Sequence, residues 1–173
     1  MPKLPEAVLR KRLQNEIAMV RRKTDHTVIV KDPTFSTFPV ELEVLMKNVP
    51  GPVRRGDRVT NKYTHKVKVT ITREYPYQKP IVEWRSEIFH PNIMEPFDGG
   101  YVCTKMLDRW TAQDNLYKFL VGLEGLLSNP NPSDPYGTCS CREAAVHFRE
   151  HPFKPGALPA RAPEQHVRIV GEV

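Results

Sequence analysis

Cys103 is the residue of this sequence whose setting best suits covalent chemistry. It follows the Gly99-Gly100 pair and lies eleven residues after Asn92, which Pro91 precedes. A thiol attacks acyl groups readily and leaves them again easily, so it can carry an acyl group between two partners. Because Cys103 lies next to a glycine turn and outside any helical pattern, we expect it at the surface of a loop. The alternative is a small buried apolar side chain, the commoner role of an isolated cysteine.

The other two cysteines offer weaker chemistry. Cys139 and Cys141 lie near His147 and His151, but the spacing matches no common zinc pattern and a second Cys/His pair is missing. We therefore predict no metal site. Three cysteines make no disulfide framework, and the odd count favours free thiols. This indicates an intracellular, reducing compartment, the cytoplasm, with the nucleus left open.

Length and composition fit one folded domain. The 173 residues have an ordinary apolar fraction of 39%. No apolar run reaches the roughly 18 residues that cross a membrane, so no membrane partner is expected. The start of the chain lacks the apolar core of a secretory signal. No phosphate-binding loop is present, and no cofactor is expected.

The positive charge is concentrated at the amino terminus. Of the net +6, most comes from the first 31 residues, which hold eight Lys or Arg and three acidic residues. Such a segment can meet an acidic protein, a nucleic acid or a membrane surface, or it can be a solvated helix face. It lacks the interleaved aromatics of a nucleic-acid-binding segment, so no nucleic-acid partner is expected.

Hydrophobic periodicity predicts the elements that position these residues. A helix is expected over residues 5–23, with Leu9, Leu13, Ile17 and Val20 on one face. Alternation with a period of two then predicts four strands, which short connections arrange as an antiparallel meander. The strands fall at residues 26–30, 38–46, 65–74 and 81–84, with loop signals at 48–52 and 55–57 between the second and the third.

After residue 86 the regular pattern stops for about 25 residues, and a loop of that length in a compact domain is usually functional. Helices return at 113–128, with Asp114 or Thr111 as the N-cap, and at 141–150. The order of helix, antiparallel strands, irregular segment and helices predicts an α+β domain. Its core covers about residues 5–150. A proline-rich extension follows, in which helix signals return only at 165–170.

A series of short motifs occurs in one order along the chain. They are Tyr75-Pro76-Tyr77-Gln78-Lys79-Pro80, His90-Pro91-Asn92-Ile93, Gly100-Tyr101-Val102-Cys103, Trp110 and Asn129-Pro130-Asn131-Pro132-Ser133-Asp134-Pro135. The series resembles the ubiquitin-conjugating enzymes, the E2 family, over roughly residues 5–150. No single motif is specific, but five in register are a strong signal. The resemblance implies a UBC-like fold, in which an amino-terminal helix lies on a four-stranded meander followed by further helices.

The resemblance also implies a reaction. An E2 enzyme accepts the carboxy terminus of ubiquitin or a ubiquitin-like protein from an activating enzyme, E1, as a thioester, here on Cys103. It passes the acyl group to a lysine amine of a protein substrate, with or without an E3 ligase. Asn92 matches the asparagine whose amide donates to the oxyanion of that transfer, or it only ties the loop backbone. Asp134 matches an acidic position that orients the lysine and favours its loss of a proton, or it is a turn residue. His90 matches a histidine that is mainly structural.

Partner surfaces follow from the same resemblance. Lys11 and Arg12 match the basic helix positions that meet E1. Tyr77 matches the aromatic that meets RING-type ligases, with Ala112 on the neighbouring loop; the alternative is a ring packed on its own loop. Tyr101 and Tyr136 are expected to wall the groove. We expect a monomer.

The chain departs from the family pattern in two places, and two rival functions stay open. The segment between Asn92 and Cys103 is a few residues longer than usual, with 95–97 as the extra piece. Thr111-Ala112-Gln113 stands where the family has Ser-Pro-Ala. One rival is a non-catalytic, ubiquitin-binding E2-like adapter, which would lack the cysteine. The other is a thiol hydrolase, which would need His90 as a poised base for Cys103.

Overall fold

The described part of the chain contains three α-helices and four β-strands. The computed structural model describes residues 1–158, apart from the side chain of Met106. The predicted helix signals at 165–170, and the extension beyond residue 158, lie outside the described residues. The elements in chain order are α1 (Glu6–Lys23), β1 (Thr27–Val30), β2 (Val40–Arg55), β3 (Arg58–Ile71), β4 (Ile81–Trp84), α2 (Leu116–Ser128) and α3 (Cys139–Glu150).

The four strands form one antiparallel sheet. Their order is β1-β2-β3-β4, and each strand pairs with the next along the chain, which confirms the predicted meander. The alternation of β2 is real, since Leu42, Val44 and Met46 are buried while the residues between them are not. Val67 and Val69 of β3 are fully buried in the same core.

Helices α1 and α2 cover the sheet with their apolar faces. The four predicted α1 residues, Leu9, Leu13, Ile17 and Val20, are buried. The apolar face of α2 is buried as well, through Leu116, Phe119, Leu120, Leu123 and Leu127. All belong to one core with the strands. Helix α3 packs separately, with Ala144 and Phe148 against Phe89. The apolar stripes therefore position each helix as the periodicity predicts.

The loop predicted at 48–52 is wrong, because β2 runs through it. Between Lys47 and Gly51 the register with β3 shifts, so this part of β2 forms a bulge. Asn48 adopts a positive φ of 60° there, which asparagine tolerates better than most residues. A bulge leaves residues unpaired, so Pro50 can lie in the strand although it has no N–H to donate. The turn signal at 55–57 is confirmed, since β2 and β3 are joined there.

Helix α2 begins three residues later than predicted, and neither predicted cap is used. Asn115 is the N-cap, and its side chain accepts a hydrogen bond from the Lys118 N–H at 2.9 Å. Asp114 instead accepts from the Thr111 N–H at 2.7 Å and closes a turn before the helix. Both carboxylate and amide oxygens can cap a helix, so the sequence alone does not choose between neighbouring Asp and Asn.

Helix α3 begins at Cys139 rather than at 141. The side chain of Thr138 caps it and accepts from the Cys141 N–H at 3.2 Å. None of the helices in the described residues is long and apolar enough to span a bilayer.

Candidate active site

Strand-like pairing brings the Asn92 and Cys103 motifs together. Ile93 bridges Val102, and the Cys103 N–H donates to the Asn92 carbonyl at 2.9 Å. Cys103 is half-buried and free of any disulfide. It lines an open groove of about 260 Å³ together with Asp134 and Tyr136. The predicted loop cysteine therefore lies where a partner can reach its sulfur.

The glycine pair before Cys103 is a requirement of the backbone. Gly99 has a φ of 108° and Gly100 a φ of 65°, and other residues rarely adopt such values. A Cβ on Gly100 would lie 2.4 Å from the Trp84 carbonyl oxygen. The Trp84 N–H donates to the Gly100 carbonyl at 2.8 Å. The turn therefore lets the chain before Cys103 lie directly against β4.

Asn92 holds the opposite wall of the groove. Its side chain is buried, and its amide nitrogen donates to the carbonyls of Asn131 and Asp134, each at 3.0 Å. Its amide oxygen accepts from the Asn131 N–H at 2.8 Å. Both amide hydrogens are thus in use, as the loop-tying alternative expects. Donation to an oxyanion at Cys103 requires one of them to leave its carbonyl.

His90 has a structural role, as expected. Its Nε2 donates to the Leu126 carbonyl at 3.0 Å, and its Nδ1 accepts from the Asn92 N–H at 3.0 Å. Burial lowers the pKa of His90 to about 3. Since both ring nitrogens are occupied and the ring stays neutral, His90 cannot act as the base for Cys103.

Asp134 lies at the groove but already has a partner. It is exposed, and its carboxylate pairs with the ammonium of Lys105, another groove residue. The hydrogen bond to Asp134 raises the pKa of Lys105. A carboxylate therefore makes a neighbouring amine hold its proton more tightly. The role of Asp134 in orienting an incoming lysine and favouring its loss of a proton stays a prediction; the pair with Lys105 shows that this carboxylate can hold an ammonium.

Tyrosine forms one wall of the groove. Tyr136 lines it, with a backbone N–H that donates to the Pro91 carbonyl at 2.9 Å. Burial, followed by the nearby Cys103, raises the pKa of Tyr136 to about 12, so the ring is neutral at pH 7. Tyr101 does not line the groove, contrary to the prediction. Tyr101 as a residue is 64% exposed, and its ring lies beside Gly99 at the turn.

The extra piece of the long segment forms a short turn. Pro96–Asp98 is a single 3₁₀ turn, and Phe97 on it is 80% exposed. Glu95 at its start accepts from the Ser140 hydroxyl at 3.2 Å, which joins the turn to α3. The segment therefore lies on the surface and leaves the groove open.

A buried carboxylate on α1, Glu16, ties this helix to the start of α2 and to Tyr75, and sequence reasoning missed it. Glu16 accepts from Arg12 Nε at 2.6 Å, from the Leu116 N–H at 2.9 Å and from the Tyr75 hydroxyl. Burial raises the pKa of Tyr75 well above its usual range, so the phenol stays a donor. We call these four residues the Glu16 cluster. An acid inside the apolar stripe of α1, directly before Ile17, was the signal that could have revealed it.

Arg12 belongs to this cluster rather than to a free basic surface. Its Nη1 and Nη2 donate to the carbonyls of Ala112, at 3.0 Å, and Asp114, at 2.6 Å. Its guanidinium also lies 5.5 Å from the centre of the Tyr75 ring. Lys11, the neighbouring predicted residue, is exposed and makes no hydrogen bond or ion pair with the described residues. The two basic positions therefore differ in what they can offer a partner.

The two predicted ligase-contact residues lie on adjoining loops. Tyr77 is 43% exposed, in the turn that follows Pro76. The Trp110 indole N–H donates to the Pro76 carbonyl at 2.7 Å and ties that turn to the loop of Ala112. Ala112 itself is half-buried.

The remaining cysteines lie on α3 and not in the groove. Cys141 is buried, and its thiol donates to the Ile93 carbonyl at 3.5 Å. Cys139, two residues earlier, is exposed. His147 and His151 stack with ring centres 5.1 Å apart. Within residues 1–158, no group of three or more His, Cys, Asp or Glu side chains is arranged to hold a metal ion.

Comparison with known proteins decides the family. The family model for ubiquitin-conjugating enzymes matches residues 12–154, a range that includes every described residue lining the groove. The chain belongs to the ubiquitin-conjugating enzyme family. The α+β UBC fold predicted from the motif series is thereby confirmed.

Individual relatives place the chain as a divergent member of the E2 family. It is 30% identical over 122 residues to ubiquitin-conjugating enzyme E2 2 of Saccharomyces cerevisiae, covering 69% of this chain and 65% of the relative. Among solved structures, the E2 domain of a Toxoplasma gondii ubiquitin-conjugating enzyme has a TM-score of 0.60 at 21% identity, covering 82% of this chain and 87% of that one. S. cerevisiae Ubc12 has a TM-score of 0.57 at 25% identity, covering 79% and 69%. The chain thus spans just under two thirds of the length of the first of these relatives.

Proposed function

We propose that this protein is a working E2 enzyme. It accepts ubiquitin or a ubiquitin-like protein from E1 as a thioester on Cys103 and transfers it to a lysine amine of a protein substrate. The observation that carries the proposal is the hydrogen bond between the Cys103 N–H and the Asn92 carbonyl. It sets the thiol of one family motif against the asparagine of another, at an open groove that Asp134 also lines.

The transfer step has a clear balance of bonds. An acceptor amine attacks the thioester carbonyl, a C–N bond forms, and the C–S bond breaks to release the Cys103 thiolate. Asp134 orients the amine, and its carboxylate or water takes the proton that the nitrogen loses. Asn92 donates to the oxyanion once one of its amide hydrogens leaves its carbonyl.

Partner surfaces are assigned in the same proposal. Lys11, exposed on α1, meets an acidic surface of E1. Tyr77 and Ala112 meet a RING-type E3 ligase, with the Glu16 cluster and the Trp110 indole holding their loops in place. The enzyme works as a monomer in a reducing compartment that keeps its thiols free.

The two rivals are less well supported. A thiol hydrolase needs a base for Cys103, and the occupied nitrogens of His90 do not supply one. An adapter that only binds ubiquitin has no need of a thiol at an open groove.

A charging assay tests the proposal. The protein is mixed with E1, ATP and either ubiquitin or one of several ubiquitin-like proteins, and the products are separated on a non-reducing gel. We expect an adduct that a reducing agent removes. No adduct with any modifier, in reactions where a known E2 is charged, would support the adapter. Release of the free modifier acid without an acceptor would support the hydrolase.

A further inference from the structure

The groove beside Cys103 is lined by a lysine of this chain, Lys105, as well as by acids. Two carboxylates among the described residues line it, Asp108 and Asp134. Each is paired internally: Asp134 with the Lys105 ammonium, and Asp108 with Lys79 Nζ at 3.3 Å. No acid of the described groove is therefore left free for an incoming amine.

Lys105 stands out because it lines the groove itself and lies two residues from Cys103. Its side chain is 68% exposed, and its partner Asp134 is 57% exposed. The pair therefore lies at the mouth of the groove, where an acceptor has to enter. The Lys79 pair also involves the Thr104 carbonyl, at 3.5 Å, but Lys79 is not a lining residue.

We propose that Lys105 is a built-in occupant of the acceptor site. Its ammonium takes the place beside Asp134 that the amine of a substrate lysine needs, and the substrate must displace it before transfer. This rests on the proposed function, because it assigns a specificity role within that reaction.

The effect of Lys105 on the rate of transfer is expected to be small. Exchanging one exposed ammonium for another is close to neutral, and an exposed ion pair contributes little. The occupant therefore slows acceptors that bring only a free amine. A substrate held elsewhere on the enzyme, by a ligase or by its own contacts, gains effective concentration and displaces Lys105 more readily. The device favours positioned substrates over free lysine.

Discharge of a preformed thioester tests this. The enzyme is charged, E1 is stopped with EDTA, and loss of the thioester to free lysine is followed without a ligase. Lys105→Gln should discharge about two- to fivefold faster, the effect of one exposed ion pair. Lys105→Arg keeps the cation and should match the parent. Lys79→Gln is the matched control, since it removes the other groove-side pair, and it should leave the rate unchanged.

A double-mutant cycle separates a specific effect from a general change of charge. Lys105→Gln should give no gain in an Asp134→Ala background, because the occupied carboxylate is gone. An equal gain in that background, an equal gain from Lys79→Gln, or an unchanged or slower Lys105→Gln enzyme would overturn the inference.

Failure of the proposed function would be seen separately. If the parent forms no thioester, the proposed E2 function fails. The occupancy of the acceptor site by Lys105 is then tested by amine binding alone. N-acetyl-lysine amide is titrated into the parent and Lys105→Gln while NMR shifts of the groove residues are followed. Saturation of Lys105→Gln at lower concentration supports an occupied site. Equal titrations contradict it.

Discussion

At the scale of single residues, Asn92 has both a structural role and a proposed catalytic role. Its side chain makes three hydrogen bonds to the backbone of Asn131 and Asp134, so it holds the wall that carries Asp134. Asn92→Ala should lose the oxyanion donor and slow transfer to lysine by about 10²–10³. It should also lower the melting temperature, because buried backbone groups lose partners. Charging by E1 should be largely retained.

Asn131, whose backbone Asn92 binds, provides the control variant for Asn92→Ala. Asn131→Ala removes a side chain of the same type but leaves the backbone groups that Asn92 binds, and it should charge and discharge like the parent. Rates of charging and of lysine discharge are measured for both variants. Equal loss of the two steps in Asn92→Ala would mean that the residue is only structural.

At the scale of elements, the Glu16 cluster joins α1 to the loop that precedes α2. Arg12→Ala would leave the buried Glu16 carboxylate with one donor fewer and free the Ala112 and Asp114 carbonyls. Removing one partner of a buried ion pair costs about 3 kcal/mol. For a domain of this size that lowers the melting temperature by about 6–12 °C. Thermal unfolding followed by circular dichroism measures the change.

A matched arginine tests whether the cluster causes that loss. Arg10 is also on α1, and its partners are the exposed Glu6 carboxylate, at 3.0 Å, and the Phe35 carbonyl, at 3.1 Å, neither of which is a buried carboxylate. Arg10→Ala should therefore cost much less than Arg12→Ala, since exposed pairs contribute at most about 1 kcal/mol. Equal losses would show that the buried carboxylate is not the reason.

The exposed face of α1 gives a separate prediction about E1. Lys11→Glu should slow charging of Cys103 at low salt, and the loss should shrink as salt rises, because exposed charges are screened within about 8–10 Å near physiological ionic strength. Discharge of a preformed thioester should not change, since E1 has left by then. Charging rates at two salt concentrations check it, and unchanged charging at low salt would leave Lys11 as a solvated residue.

The elements also show what periodicity can and cannot predict. The apolar faces of α1, α2 and β2 could be predicted from the sequence, because their apolar residues recur at the spacing of a helix or a strand. The bulge in β2 was not, because prolines and asparagine signal a turn equally well. In the site, Cys103, Asn92 and Asp134 could be found from ordered motifs. The Lys105 and Arg12 contacts could not, because they join segments that only the tertiary fold brings together.

At the scale of the whole molecule, two buried neutral histidines tie stability to pH. Burial lowers the pKa of His65 to about 4 and of His90 to about 3. In the unfolded chain both titrate near 6.5, so between these values the unfolded state binds more protons and stability falls as pH falls. From pH 7.5 to 5.5 the loss is about 1–1.5 kcal/mol for each histidine.

The melting temperature measured across that pH range checks this. The parent should lose stability steadily below about pH 6.5. His65→Gln, which keeps a donor near the Val49 carbonyl, should have a lower starting stability but a shallower slope. A melting temperature of the parent that stays constant between pH 7.5 and 5.5 would contradict this. It would mean that the pKa values of the two buried histidines are not lowered by folding.

The central claim is that Cys103 carries the modifier, and the mass of the charged adduct tests it most directly. Parent, Cys103→Ser and Cys139→Ser proteins are incubated with E1, ATP and the modifier, and intact masses are measured before and after a reducing agent. The parent and Cys139→Ser should each gain one modifier, less one water, and lose it to a thiol reagent such as dithiothreitol, which takes the acyl group and leaves the Cys103 thiol free. Cys103→Ser should gain none, or carry an oxygen ester that the reducing agent does not cleave. Two results would contradict the account. One is an adduct on Cys103→Ser that the thiol reagent removes; the other is a Cys139→Ser protein that forms no adduct while the parent does.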